Sequence, residues 1–325
     1  MANMRILVTR RWPQEVEREL QQYGEVTLNE EDEPLSEMQL RAALSDFDIV
    51  CPTVTDQLNA QVLASVSDPR TKLLANFGVG VNHIDLQQAR QMSIQVTNTP
   101  GVLTHATAEI AMALLLMSAR RTGEGERHLR AQAWTGWRPT HMLSHQITGG
   151  TLGIVGMGRI GIAMARKAHH GFGMSILYYS RSPLDDSIAL ELGARQVSLE
   201  ELLSLSQFVS LHCPATPATH HLIDEQALRL MRSDAHLINT ARGDVVDEVA
   251  LVNALKKGEI AGAGLDVYEM EPALSPGLMA LENTVLLPHM GSGTSETRIA
   301  MGRCAMDNVA AFVQGIPLPN QVEKV

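Results

Sequence analysis

An apolar run leads directly into three regularly spaced glycines. Thr151-Leu152-Gly153-Ile154-Val155 reads as a strand, Gly156-Met157-Gly158-Arg159-Ile160-Gly161 follows without a spacer, and a helical pattern runs from Arg159 to Lys167. A GxGxxG match alone means little. Strand, glycines and helix in this order predict a βα turn with defined jobs for each glycine. Gly156 allows the tight turn, Gly158 lets a pyrophosphate approach the backbone, and Gly161 lets helix and strand pack closely. The helix start offers unpaired N–H groups and the positive end of a dipole. A dinucleotide is therefore the expected ligand.

The rest of the chain repeats the same alternation. Strands are expected at Arg5–Thr9, Asp48–Cys51, Leu73–Ala75 and Ile94–Thr97, with helices at Pro13–Gln22, Ser36–Leu44, Ala60–Ser65 and Leu86–Gln91. One long helix is expected from Thr107 to about Arg130, then a loop or arm over Trp134–Thr148. A second series begins at Thr151, with strands at Ser175–Tyr179, Phe208–His212, His236–Asn239, Gly262–Asp266 and Val285–Leu287. Helices are expected at Arg159–His170, Glu248–Lys257 and about Glu296–Val313. Strands alternating with helices give parallel sheets, so the fold class is α/β with two open sheets in series. A length of 325 residues suits two domains at about 100–200 residues each.

Composition excludes several function classes. Lys plus Arg number 26 against 36 Asp plus Glu, a net charge of −10. That field repels nucleic acid and anionic membranes, so any anionic ligand needs a local site. Cys51, Cys213 and Cys304 form no CxxC pair, which argues against a disulfide framework or a cysteine zinc site. The longest apolar run, Ile110 to Ala119, is too short to span a bilayer. Met4 to Thr9 reads as a first strand rather than a signal peptide, so a cytoplasmic protein is expected. His169-His170 and His220-His221 show no metal spacing with carboxylates and read as surface residues; no metal is expected.

The end of the second strand in this series bears on the choice of dinucleotide. An acid there usually bonds the ribose 2′-hydroxyl of NAD. Here the strand ends Tyr178-Tyr179-Ser180-Arg181-Ser182-Pro183. Ser180, Arg181 and Ser182 can hydrogen-bond a 2′-phosphate that a carboxylate would repel. NADP(H) is preferred, with NAD(H) as the alternative, and Asp185-Asp186 would supply the acid only if the strand ended later.

Hydride chemistry at a carbonyl needs a proton donor and positive charge near the oxygen. Three candidates sit at strand ends, where ligands gather in open sheets. They are Arg242 in Asn239-Thr240-Ala241-Arg242-Gly243-Asp244, Glu271 in Gly264-Leu265-Asp266-Val267-Tyr268-Glu269-Met270-Glu271-Pro272, and His289 in Leu287-Pro288-His289-Met290-Gly291-Ser292.

These segments and the glycine motif, in this order, resemble the D-isomer-specific 2-hydroxyacid dehydrogenase family. The likeness runs from about Ala75 to Thr297. Ser180-Arg181-Ser182 and Trp134-Thr135-Gly136-Trp137 are most similar to the glyoxylate/hydroxypyruvate reductase branch. The resemblance implies two doubly wound parallel-sheet domains, Rossmann-like and flavodoxin-like, with an intervening cleft. Residues 101–292 would bind the dinucleotide; residues 1–100 and 293–325 would form the substrate-binding domain. It implies that His289 is the general acid/base, that Glu271 bonds His289 and favours its protonated form, and that Arg242 binds the substrate. Asn76-Phe77-Gly78-Val79-Gly80 is similar to the family's carboxylate cradle, with the N–H groups of Val79 and Gly80 facing the substrate. Cofactor contacts implied by motif are Thr107, Arg159, Ile160, Ser180, Arg181, Cys213, Pro214, Thr219, Thr240, Asp266 and Gly291. A homodimer is implied, with Trp134 or Trp137 reaching towards the second copy.

Departures from the family pattern are few. His105 stands where the family often has Asp. Formate dehydrogenases of the superfamily carry Gln where Glu271 stands, which argues against formate. The expected activity is NADPH-dependent reduction of a small 2-keto acid, glyoxylate or hydroxypyruvate, to the D-2-hydroxy acid. The other readings are a dehydrogenase for a bulkier 2-keto or sugar acid and a dinucleotide-sensing corepressor-like protein. Corepressors of this fold work through added tails, which the chain hardly has, so the enzyme is the expectation.

Overall fold

The computed structural model describes residues 4–322. The chain divides into two compact units. One runs up to Leu103 and resumes at Ser292; the other is Thr104–Gly291. In chain order the first unit begins with β1 (Arg5–Val8), α1 (Gln14–Leu20), β2 (Glu25–Leu28), α2 (Glu37–Asp46), β3 (Ile49–Cys51), α3 (Ala60–Ala64), β4 (Leu73–Ala75), α4 (Leu86–Gln91) and β5 (Gln95–Thr97). The second unit holds α5 (Thr104–Ala119), α6 (Thr122–Arg130), β6 (Thr151–Val155), α7 (Arg159–Phe172), β7 (Ser175–Tyr179), α8 (Asp186–Leu192), β8 (Arg195–Gln196) and α9 (Leu199–Leu205). It continues with β9 (Phe208–Leu211), α10 (Glu225–Leu230), β10 (His236–Asn239), α11 (Glu248–Lys257), β11 (Gly262–Leu265) and β12 (Thr284–Leu286). The chain then returns to the first unit with α12 (Ser295–Gln314).

Both sheets are parallel. The first has the order β2-β1-β3-β4-β5, the flavodoxin-like winding. The second has the order β12-β11-β10-β9-β6-β7-β8, and its strand order reverses between β6 and β9. Register keeps the C-terminal ends level there: Val155 pairs with Tyr179 on one side and with Leu211 on the other. Central strands are buried on both faces, so β3 and β9 are buried throughout. In the second unit, Leu202, Leu228, Leu251 and Leu255 pack one face of the sheet, and Leu114, Leu115 and Met164 pack the other.

The expectations fail in the helix after β5 and at two edge strands, β2 and the two-residue β8. The helix expected from Thr107 to about Arg130 is two helices, α5 and α6. Arg121 breaks it, with a left-handed φ of 52° and a guanidinium held by Glu124 and the Leu143 carbonyl. The buried stripe ends at Ala119, and no residue of α6 is buried. Strand β2 was not expected, because Glu25–Leu28 alternates between exposed and half-buried at a sheet edge. Among the described residues, no helix is long and apolar enough to cross a membrane.

Candidate active site

The glycine turn closes between β6 and α7. A Cβ on Gly156 would lie 2.5 Å from the Cys213 nitrogen, so the turn runs hard against the backbone that leaves β9. A Cβ on Gly161 would lie 2.4 Å from the Gly156 carbonyl oxygen, which forces the close packing of helix on turn. Gly158 differs: nothing stands within 4 Å of its Cβ position, and it is exposed. Ser36, Asn59, Asp85, Asp185, Ser198, Asp224, Asp247 and Thr294 each cap a helix through the side chain. Helix α7 starts at Gly158 with no side-chain cap. Its first N–H groups are thus left without a side-chain cap, an arrangement that suits an anion.

Strand β7 ends at Tyr179, so Ser180 is the next residue. Its carbonyl accepts a hydrogen bond from Gln196. Arg181 and Ser182 are exposed. Among the described residues, no acidic group pairs with Arg181. Asp185, the alternative acid, is the N-cap of α8 and accepts from Ser187 through Oδ1.

The C-terminal ends of β10, β11 and β12 bring Arg242, Glu271 and His289 together. After β10, the Asn239 side chain accepts from the Ala241 N–H at 2.9 Å and donates to the Arg242 carbonyl at 2.8 Å. This side-chain turn presents Arg242. Gly243 is obligatory, since a Cβ there would lie 1.8 Å from the Tyr268 carbonyl carbon. The loop after β11 is therefore pressed against the Arg242 turn. In that loop Glu271 accepts from the Tyr268 N–H at 3.0 Å through Oε1 and meets Nδ1 of His289 at 2.7 Å through Oε2. The Tyr268 hydroxyl donates to the Leu287 carbonyl at 2.9 Å, tying this loop to the end of β12. His289 has a left-handed φ of 51°, and the next N–H, of Met290, donates to Asp266 at 2.7 Å.

The electrostatics follow from burial and pairing. Burial pushes the Glu271 carboxyl upward, but His289, the Tyr268 N–H and Arg242 together hold it below its ordinary value. Burial pulls the Arg242 guanidinium down, and Glu271 and Asp244 oppose this. Burial raises Asp266 against the Met290 N–H and His289. A half-exposed imidazole beside a carboxylate, with a half-buried guanidinium nearby, can protonate an oxygen and bind an anion.

Other residues predicted to contact the cofactor are placed as follows. A Cβ on Gly291 would lie 3.2 Å from Asp266 Oδ2 and 3.4 Å from Thr107 Cγ2, so the three residues meet. The Thr240 hydroxyl is buried without a partner among the described residues. Cys213 is buried, its thiol pushed up to about 11, and Pro214 is exposed beside it. Thr219 turns inward and donates to the Pro214 carbonyl at 2.7 Å. Arg159 is exposed and Ile160 half-buried at the start of α7.

The 76–80 turn, expected to be a carboxylate cradle, belongs to the first unit. Asn76 donates to the carbonyls of Gly78 and Gly80 at 3.0 and 3.1 Å, and Asn98 donates to that of Val79 at 2.9 Å. His83 holds the Asn76 amide oxygen at 3.0 Å. The carbonyls are thus occupied, and among the described residues no protein acceptor takes the N–H of Val79 or Gly80. Sequence reading missed the positioning roles of Asn239, Gly243 and Tyr268. It also misread His220-His221, which meets a carboxylate after all: His221 Nε2 is 2.7 Å from Glu269 Oε1.

The description "D-isomer specific 2-hydroxyacid dehydrogenase, NAD binding domain" matches residues 112–291. The chain is 45% identical to the glyoxylate reductase of Korarchaeum cryptofilum, over 98% of this chain and 96% of that one. A solved Polaromonas structure described as a D-isomer specific 2-hydroxyacid dehydrogenase superposes with a TM-score of 0.91 at 36% identity, covering 99% of this chain and 100% of that one. The NADPH-dependent glyoxylate/hydroxypyruvate reductase of Sinorhizobium meliloti, solved with NADP and malonate, gives 0.87 at 32% identity, covering 99% and 97%. The chain belongs to the D-isomer specific 2-hydroxyacid dehydrogenase family, and within it is similar to the glyoxylate reductases.

Proposed function

We propose that this NAD(P)-dependent dehydrogenase reduces glyoxylate, or a 2-keto acid of similar size such as hydroxypyruvate, with NADPH. The observation that carries the reading is the Glu271–His289 pair at 2.7 Å beside the half-buried Arg242. Residues around the open Gly158 helix start would hold the pyrophosphate, and Thr107, Thr240, Asp266 and Gly291 the nicotinamide end. The nicotinamide, when bound, supplies a hydride to the keto carbon. His289 gives its proton to the keto oxygen, so the carbonyl becomes an alcohol, and Glu271 orients the ring through Nδ1. Arg242 holds the substrate by a planar fork of donors. The N–H groups of Val79 and Gly80 bind its carboxylate.

Preference for NADPH rests on Ser180, Arg181 and Ser182 after β7, where Arg181 has no acidic partner among the described residues and Asp185 caps α8. It also draws on the NADP bound to the Sinorhizobium enzyme. A homodimer is proposed from the exposed arm, where Trp134, Trp137 and Leu143 are 52%, 81% and 67% accessible. The test is a panel of 2-keto acids assayed with NADPH and NADH. The reading expects the highest kcat/KM with NADPH and glyoxylate or hydroxypyruvate. Highest kcat/KM for an aromatic or sugar keto acid would replace the substrate, and cofactor binding with no turnover would replace the enzyme with a sensor.

A further inference from the structure

We propose that His220, His221 and Glu269 form a divalent transition-metal site, suited to Zn²⁺, on two loops of the second unit. One ligand atom from each residue lies within 4.8 Å of the other two. His221 Nε2 and Glu269 Oε1 are already 2.7 Å apart. The two imidazole rings stack with centroids 4.0 Å apart and planes at 28°. Adjacent residues in extended backbone point their side chains to opposite faces. Here His221 has a φ of 48°, a left-handed conformation uncommon for a residue with a side chain, and the two rings lie side by side.

The backbone under the cluster is fixed from both sides. The His221 N–H donates to the Asp244 carbonyl at 2.8 Å, and Ile223 bridges to Val246. The Glu269 N–H donates to Oε1 of the buried Glu248 at 2.6 Å, whose Oε2 accepts from the Ser275 N–H at 3.1 Å. A buried carboxylate thus anchors the loop that carries the third ligand. Two imidazoles and a carboxylate form a donor set for Zn²⁺, which takes ligands at about 2.0–2.2 Å in a tetrahedron and fills an open position with water. Those bond lengths separate the ligands by about 3.4 Å, so the His221–Glu269 pair opens from its 2.7 Å contact and the exposed His220 turns out of the ring stack to point its nitrogen at the ion.

A second adjacent-histidine pair in the chain lacks these features. His170 also meets a carboxylate, Glu191, at 3.2 Å, but Arg166 already neutralises Glu191 at 2.8 Å and His169 bonds the Met174 carbonyl. The proposed site does not depend on which acid the protein reduces. Its occupancy would join the 219–222 loop to the 267–272 loop.

The test uses the full chain without an affinity tag, stripped by chelator and titrated with Co²⁺ and then Zn²⁺. The proposal expects one Co²⁺ per chain, the intense visible absorption of a four-coordinate ion, and displacement by an equivalent of Zn²⁺. His220→Asn and Glu269→Gln should each weaken Zn²⁺ by at least about tenfold, and His170→Asn should not. His220→Asn, at an exposed position, should keep the parent melting temperature in chelator and lose the Zn²⁺-dependent rise. Binding that needs millimolar metal, or survives both ligand variants, or is abolished by His170→Asn, overturns the site.

Discussion

Oε2 of Glu271 meets Nδ1 of His289 at 2.7 Å, from loops that leave two neighbouring strands. The other oxygen of Glu271 is held by the Tyr268 N–H, so the carboxylate cannot turn away without breaking a backbone contact. The imidazole is thereby aimed by a carboxylate that the loop itself fixes. His289→Ala should lower kcat by about 10²–10⁴-fold, the usual size of a positioned acid/base, with a smaller change in KM. Glu271→Gln keeps an acceptor but loses the charge, so its loss should be smaller, about 10–10²-fold. Steady-state kinetics decide. An essentially unchanged kcat in His289→Ala removes that residue as the proton donor.

Gly243 is where two loops touch. A methyl group there would sit 1.8 Å from the Tyr268 carbonyl carbon and 2.2 Å from the Glu269 nitrogen, and these backbone atoms cannot swing aside as a side chain can. Gly243→Ala should cost about 3 kcal/mol or more of stability, at the upper end for overpacking. Because Gly243 follows Arg242, the variant should also raise KM for the keto acid. Denaturant unfolding and steady-state kinetics would show both effects. A variant as stable as the parent, with unchanged KM, would mean the loops move apart easily.

The contrast between Gly243 and Gly158 shows how much was legible beforehand. The GxGxxG turn could be read because strand, glycines and helix are adjacent in sequence. Helix α11 could be read end to end, because Asp247 caps its start and Gly258 ends it in a left-handed residue. Gly243 lies in a segment that stood out, but the need for glycine comes from Tyr268, 25 residues later, and no local pattern reports that. The His221–Glu269 contact spans 48 residues and was missed for the same reason. Strand β2 was missed because an edge strand with half-exposed residues carries little apolar signal. The break at Arg121 rests on one left-handed residue in a polar stretch, which weak propensities do not mark.

Arg181 is exposed after β7, and among the described residues no carboxylate neutralises it. Many other arginines of the chain, Arg11, Arg70, Arg166 and Arg303 among them, are in ion pairs. A charge-assisted hydrogen bond is worth about 1.5–3 kcal/mol, roughly ten- to a hundredfold in binding. Arg181→Ala should therefore raise KM for NADPH by about tenfold or more and leave KM for NADH within about twofold. Ser180→Asp should repel the 2′-phosphate and turn preference towards NADH. Equal losses for the two dinucleotides in Arg181→Ala would mean that this guanidinium meets no 2′-phosphate.

His236 couples stability to pH. It is 3% exposed, stacks on Phe208, and bonds Ser118 through Nδ1 at 2.8 Å and His145 through Nε2 at 3.0 Å. Burial, helped by His145, lowers its pKa from 6.5 to about 4. The folded chain therefore keeps this ring neutral where the unfolded chain protonates it. Stability from this group is complete above about pH 6.5 and falls as pH drops from there to about 4, by as much as about 3 kcal/mol. His212, lowered to about 4 by burial, adds a loss of the same sign. Urea unfolding at pH 7.5 and pH 5 measures the fall. His236→Gln removes one titrating ring, so it should shrink the difference between the two pH values, whatever it does to stability at either. If parent and variant lose the same stability over that interval, His236 is not the group that senses the acid.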